Sequence, residues 1–440
     1  MDHNSTSLAA HFALKDQGSY LARVLVPRTY TIYKCMRASF FLTPSQLSLM
    51  ASSIFLPLIL FHLLLATEPT SSARIPLTRV SSKTWPKYTS TNSLMNNPEY
   101  YSPGRYPLIL SNDVYAMSLA IGTPPVKFLA IMDTGSNLIW TKCKSSGPNF
   151  FDTSMSTSFS SYVGDTCEEW GVGQDCPQKY DDGKSVNVTL GQETLTIGDV
   201  KVNDVTFGCG ITDDENFGFG GIVGMGPGEL SLVSHLRNRV FTYCLGSRLD
   251  RTASSVLLTR SIDNIYSDVQ TTRLWTDKSK SNYYITLEGI SVGETKLPIT
   301  ETEIAKSKMV IDSGTTFTYL EKSIVDMISN EFMSQTNLNM SGSDNVTKYG
   351  LENCFNYQGY DNAQFPNVVF HFEGANWELT KDNYIYQKEG GEEGCLAFKS
   401  NDQENDKSAI FGNIQQQNMI VSYDLDNNKL SFMPTDCNQV

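Results

Sequence analysis

The apolar pair Ile131-Met132 leads into Asp133-Thr134-Gly135, and 179 positions later Val310-Ile311 leads into Asp312-Ser313-Gly314. A lone triplet of this kind reads as a turn, since Asp and Gly are both turn formers. At average composition an Asp-(Ser/Thr)-Gly triplet occurs roughly 0.2 times in a chain of this length, so two in matched surroundings point to duplication. The match extends outward. YAMSLAIG (Tyr115–Gly122) precedes the first triplet and YYITLEGISVG (Tyr283–Gly293) the second. Ile222-Val223-Gly224 follows the first triplet at a distance similar to that of Ile410-Phe411-Gly412 after the second. The shared order of signals predicts two homologous halves, meeting around residues 265–282, that face each other across a long cleft.

Each letter of the repeated triplet has a chemical use. The apolar residues place the Asp at the end of a buried strand. Gly135 and Gly314 let the backbone turn tightly and put no Cβ against the carboxylate. The hydroxyls of Thr134 and Ser313 can bond locally or across the two loops and fix their geometry. Two carboxylates brought into one site cannot easily both ionise, so one pKa rises and the other falls. One carboxylate then serves as a base on a water held between them, and the other as an acid toward a carbonyl.

The texture from about Tyr106 onward is short β-type runs separated by Gly, Asn and Asp: Tyr115–Gly122, Lys127–Met132, Ser185–Gly198, Asp204–Gly210, Asn282–Gly293 and Val368–Phe372. Two stretches, Leu230–Asn238 and Lys322–Gln335, have apolar residues spaced at three and four and are predicted helical. The body is therefore expected to be mostly β.

The chain of 440 residues is 40% hydrophobic and 18% charged, which is a globular balance. Its formal charge of −13 is unevenly spread: residues 1–102 hold 9 of the 34 Lys/Arg and 4 of the 47 Asp/Glu, leaving 103–440 at −18. So acidic a body argues against nucleic acid and stable membrane contact, and suits work at low pH.

An apolar run of 13 residues, Ile54–Ala66, follows Met50 and is followed by small residues up to Ala73. It is short for a membrane span and fits a signal-peptide core. Residues 1–49 read as an upstream extension of the gene model and 50–67 as the signal peptide. If translation starts at Met1, the basic residues before the run would instead hold it as an anchor. Residues 68–109, rich in Ser, Thr, Pro and Asn, read as a poorly structured prosegment or linker with a small positive charge. They are followed by an N-terminal β lobe with a flap, 110–278, and a C-terminal β lobe, 279–440.

Nine cysteines are spread without CxxC spacing, and Cys35 falls in the extension. The other eight fit disulfides in an oxidising compartment, with 105 pairings open on spacing alone. Sequons at Asn187, Asn339 and Asn345 fit the same compartment. His235 and His371 stand in no zinc or Ser-His motif, so no metal or other cofactor is expected. The Gly-rich run Gly218–Gly228 lacks the ending of a phosphate loop and reads as close backbone packing. Gln415-Gln416-Gln417 is too short to mean low complexity.

Together, the stretches Tyr115–Cys143, Gly221–Leu236, Val310–Leu320 and Ala409–Cys437 resemble the pepsin-like aspartic proteases, and more closely their plant nepenthesin-type branch. The likeness covers about residues 110–440. It implies a bilobal acid-protease fold with the cleft between the lobes, and endopeptidase activity at acid pH on extended peptides or unfolded protein. The aspartic-protease dyad is itself the worked example of the split carboxylate pair above. The resemblance implies Asp133 and Asp312 as catalytic, supported by Thr134, Gly135 and Ser136 and by Ser313, Gly314 and Thr315. It implies Tyr180 as the flap tyrosine beside Trp140. Asp182-Gly183 makes a good tight turn, but Asp181 and Lys184 replace the family's Gly and Ser there. It also implies the bonds Cys143–Cys209, Cys167–Cys176, Cys244–Cys437 and Cys354–Cys395. A secreted or vacuolar monomer regulated by its own prosegment is expected. The competing reading is a pepsin-fold binder or inhibitor of other secreted proteins, which would typically have lost a catalytic Asp; this chain keeps both.

Overall fold

The computed structural model describes residues 11–15, 19–23, 73–79 and 114–437, the last without 144–149, 165–171, 174–176, 181–184, 198–199, 212–219, 236–238, 250–253, 259–261, 263–266, 277–280, 301–307, 337, 340–349, 357–364, 388–392 and 402–408. It divides into two units, Met1–Ser71 and Ser72–Val440. In the first, His11–Lys15 pairs antiparallel with Ser19–Arg23. The second carries everything discussed below. The signal-peptide reading of 50–67 lies outside the described residues.

The second unit is a bilobal β structure, and each half repeats one strand crossing. In the first half, Gly221–Gly224 pairs parallel with Val126–Asp133 and antiparallel with Ile139–Lys142. In the second, Ile410–Phe411 pairs parallel with Lys308–Ile311 and antiparallel with Thr318–Leu320. Val200–Ile211 then runs parallel to Ile139–Lys142, and Phe398–Ser400 parallel to Thr318–Leu320. Glycine is required where these strands cross. A Cβ on Gly224 would strike the Asn137 backbone, and one on Gly412 the Phe317 backbone. The repeated apolar-apolar-Gly signal is thus a packing requirement, met once per half.

The halves are joined through one sheet. Val240–Cys244 from the first half pairs antiparallel with Met419–Asp424 from the second, which pairs with Lys429–Pro434 and so with Gln270–Arg273. On the other side Val240–Cys244 pairs with Ser254–Leu258. Beyond it lies Ala73–Arg79, which pairs in turn with Tyr115–Ile121. This corrects one expectation: 73–79 is not poorly structured but a strand paired on both edges. Its partners are remote in sequence, which satisfies its backbone groups without any strong local pattern.

The described β-type runs all fall in strands, Tyr115–Ile121, Val126–Asp133, Ser185–Ile197, Val200–Ile211, Tyr283–Val292 and Val368–Phe372. Lys322–Thr336 is the predicted helix, with Ile324, Val325, Ile328 and Phe332 buried on one face. The other helical prediction is corrected to a short 3-10 turn, Leu232–His235. The apolar core is continuous beneath both halves, and Phe241, Tyr243, Tyr283 and Tyr423 pack ring on ring where they meet. Among the described residues no helix is long and apolar enough to cross a membrane.

Candidate active site

Asp133 ends the Val126–Asp133 strand, and Asp312 directly follows Lys308–Ile311. Both carboxylates stand at the open end of the crossing described above, where the backbone turns at Gly135 and Gly314. Each loop reaches into the other. Thr134 N–H donates to Ser313 Oγ at 3.1 Å, and Ser313 N–H donates to Thr134 Oγ1 at 2.9 Å. The same hydroxyls donate onward, Thr134 Oγ1 to Ile311 O at 3.2 Å and Ser313 Oγ to Met132 O at 2.8 Å. Both residues are fully buried. The hydroxyls are therefore used across the loops, and their four bonds satisfy polar groups that burial would otherwise leave costly.

The two carboxyl groups are brought together, each lying against the glycine of the opposite loop. Their surroundings repeat too. Gly135 N–H donates to Asp133 Oδ1 at 2.9 Å and Ser136 Oγ to Asp133 Oδ2 at 2.5 Å. Gly314 N–H donates to Asp312 Oδ1 at 2.7 Å and Thr315 Oγ1 to Asp312 Oδ2 at 2.5 Å. A Cβ on Gly135 would lie 2.7 Å from Asp312 Oδ2, and a Cβ on Gly314 would strike Asp133 Oδ1. Each glycine thus makes room for the carboxylate of the opposite loop. Burial, and after it the charge of Asp312, push the Asp133 carboxyl well above the ordinary carboxylate range, against the pull of Ser136 and Gly135. The pair holds a proton that two separate carboxylates would have released.

Trp140 is buried in a second cluster with Leu138, Val186, Val188 and Ile222, and Tyr180 packs against it. Trp140 Nε1–H donates to Tyr180 Oη at 2.6 Å. Gln178–Lys179 pairs antiparallel with Ser185–Val186, so Tyr180 stands at the start of a hairpin tip. Asp181, Asp182, Gly183 and Lys184 lie outside the described residues. Cys143–Cys209, Cys244–Cys437 and Cys354–Cys395 are bonded; Cys167 and Cys176 lie outside the described residues. Asn187 and Asn339 are exposed, and Asn345 lies outside. His235 is partly buried at the end of its 3-10 turn. His371 bridges Ser291 Oγ and Asn376 Oδ1, each at 2.7 Å. Neither histidine reaches the aspartates.

Sequence reasoning missed the layer behind the loops. Gln416 Nε2–H donates to Asp312 O at 3.1 Å and to Phe411 O at 2.8 Å, and Asn413 Nδ2–H to Ser313 O at 3.1 Å. Tyr243 donates to Gln416 Oε1 and lies 3.1 Å from Tyr423 Oη. One signal was present: Tyr243 and Tyr423 are 180 positions apart, nearly the spacing of the aspartates. No comparable signal marked the glutamine.

Residues 115–258 match the family model described as xylanase inhibitor N-terminal, and 282–434 the one described as xylanase inhibitor C-terminal. Aspartic proteinase nepenthesin-1 of Nepenthes gracilis is 38% identical over 73% of this chain and 78% of its own. Nepenthesin-2 of the same plant is 35% identical over 75% and 80%. Aspartyl protease AED1 of Arabidopsis thaliana is 32% identical over 79% and 77%. The crystal structure of basic 7S globulin from soybean superposes with a TM-score of 0.61 at 16% identity, covering 84% of this chain and 98% of that one, which is a likeness of fold. With these relatives, a duplicated strand crossing and two interlocked Asp-hydroxyl-Gly loops, the chain belongs to the nepenthesin-type plant branch of the pepsin-like aspartic proteases.

Proposed function

We propose that this protein is a secreted aspartic endopeptidase that hydrolyses peptide bonds at acid pH, using a water activated between Asp133 and Asp312. The observation that carries the reading is the buried carboxyl pair brought together at the end of two interlocked loops. A pair that shares one proton offers a base and an acid at once. The base takes a proton from water as the oxygen adds to the peptide carbonyl, and the acid gives its proton to that carbonyl oxygen. Collapse of the tetrahedral adduct then needs a proton delivered to the leaving nitrogen, which the same pair can supply. Ser136 and Thr315 hold the outer carboxylate oxygens, leaving the inner oxygens for water. Tyr180, fixed by Trp140, closes over an extended substrate.

Three disulfides support passage through an oxidising compartment. Residues 68–109 act as a prosegment in this reading, and the Ala73–Arg79 strand is how it joins the folded body. The positive charge of Arg74, Arg79, Lys83 and Lys87 against an acidic body favours retention of the prosegment at neutral pH and its release in acid.

The test is cleavage of an unfolded protein by residues 67–440 across about pH 2.5 to about pH 7.5, with and without pepstatin, beside Asp133→Asn. Acid activity lost in both arms supports the reading. Correctly folded protein that shows no cleavage at any pH, even after its prosegment has been removed, sinks it. A second reading, a binder of other secreted proteins, is favoured by the inhibitor descriptions of the matched family models. Binding of a partner with equal affinity by the Asp133→Asn variant would select it.

A further inference from the structure

Gln415, Gln416 and Gln417 are all buried to within 2% exposure, which is unusual for three consecutive amides. Their partners differ. Gln415 serves its own half: it accepts from Thr318 Oγ1 and donates to Asn383 O and Ala397 O. Gln416 alone turns to the aspartate loop, donating to the carbonyls of Asp312 and Phe411.

The donors behind the site can be followed in one direction. Ser313 N–H donates to Thr134 Oγ1. The Thr134 hydroxyl spends its one proton on Ile311 O, so this branch ends on the backbone of the second half. The Tyr243 proton is committed to Gln416 Oε1, so in the contact between the two tyrosines Tyr423 donates and Tyr243 accepts. Gln416 Nε2–H then donates to Asp312 O. Ser313 N–H and Asp312 C=O belong to one peptide unit. That peptide is thus held at both ends, its N–H by Thr134 of the other half and its C=O by Gln416, which is itself held by Tyr243 and, behind it, Tyr423. Hydrogen bonds aligned head to tail polarise one another. On the first half Asp133 O is held instead by Met225 N–H at 2.7 Å.

We propose that Gln416 is a positioning residue for the peptidase reaction: held by Tyr243 and Tyr423, it fixes the carbonyl of the Asp312–Ser313 peptide, and with it the placement of Asp312 against Asp133. This rests on the catalytic reading of the pair. The titratable groups on this network are the two aspartates and the two tyrosines. Burial pushes both tyrosine hydroxyls far up, so they stay protonated and the Asp133 carboxyl is what titrates.

The test uses Gln416→Met and Tyr243→Phe in the full chain, with Gln415→Met as a control of equal burial. Activity is normalised to sites titrated with pepstatin. Gln416→Met is expected to lower kcat about tenfold with KM within about twofold, and to displace the pH profile of kcat. Tyr243→Phe, which removes one oxygen and keeps the ring, moves both in the same direction, and the double variant loses no more than Gln416→Met alone. Gln415→Met lowers Tm without moving the pH profile. Should Gln416→Met not fold, Tyr243→Phe carries the same readouts. Unchanged kcat per titrated site and an unchanged pH profile in Tyr243→Phe and Gln416→Met would overturn the proposal. The pH dependence of Tm is a second readout that needs no turnover. An inactive wild-type protein whose Tm profile shifts in Gln416→Met and not in Gln415→Met would remove the peptidase reading and leave the positioning role standing.

Discussion

At the scale of single residues, the site is governed by what each loop leaves out. Gly135 has no Cβ because Asp312 Oδ2 occupies the place 2.7 Å from where one would be. Gly135→Ala should therefore displace Asp312 and lower kcat about 100-fold, the size of effect that a misplacement near 1 Å produces, while Tm changes little. Near-normal kcat in this variant would show that the opposite loop can yield. The raised Asp133 carboxyl makes a prediction about stability whose sign is fixed by linkage. Between the ordinary carboxylate range and the raised value, the folded chain holds a proton that the unfolded chain has released. The contribution of this group is thus fully present below about pH 4 and is lost as pH rises toward the raised value, with a slope of at most about 1.4 kcal/mol per pH unit. Asp133→Asn has no such proton. The difference in unfolding free energy between the two proteins should move with pH in that window, in the variant's favour as pH rises; a difference that stays flat would contradict the shared proton.

At the scale of elements, strands were legible where alternation or an apolar run marks them, and the duplicated triplets marked the loops that meet. The Lys322–Thr336 helix was legible because Ile324, Val325, Ile328 and Phe332 recur at helical spacing. Leu230–Asn238 misled because a few apolar residues at similar spacing also suit one 3-10 turn, and among the described residues of that stretch only Leu232–His235 is helical. Ala73–Arg79 was illegible because its pairing partners, Tyr115–Met117 and Ser254–Leu258, are distant and Pro76 argues locally against a strand. Gln416 was illegible for a different reason: an amide reads as surface unless its partners are known, and here they are two backbone carbonyls and a tyrosine. The Trp140–Tyr180 contact joins the end of the Gln178–Lys179 strand to the strand that follows the first aspartate loop. Trp140→Phe keeps the packing and removes the donor. A hydrogen bond of this kind is worth about 1 kcal/mol, so kcat/KM should fall about fivefold on an extended peptide. An unchanged value would mean that Tyr180 is placed by its packing alone.

At the scale of the whole molecule, duplication has not produced two independent bodies. The strand Met419–Asp424 from the second half is held on one edge by Val240–Cys244 from the first, and Thr242 Oγ1 donates to Ser422 Oγ across that pairing at 2.9 Å. Tyr283 from the second half donates to Met225 O of the first at 2.7 Å, and its ring packs on Phe241 and Tyr423. Neither half can bury this face alone, since each supplies only part of the sheet and of the aromatic layer. The interlocked aspartate loops depend on the same joint. Residues 114–437 should therefore unfold in one cooperative transition, with calorimetric and van't Hoff enthalpies in agreement. The Cys244–Cys437 bond, spanning 193 positions, ties the chain terminus to this shared sheet. By the chain-entropy account a loop of that length contributes up to about 5 kcal/mol through the unfolded state. Cys437→Ser, compared with the unsubstituted protein, should lower Tm while keeping a single transition, because the sheet and not the disulfide makes the halves one unit. Two resolved transitions in Cys437→Ser would show that the covalent tie supplies the cooperativity, and the two aspartates would then sit on bodies able to part.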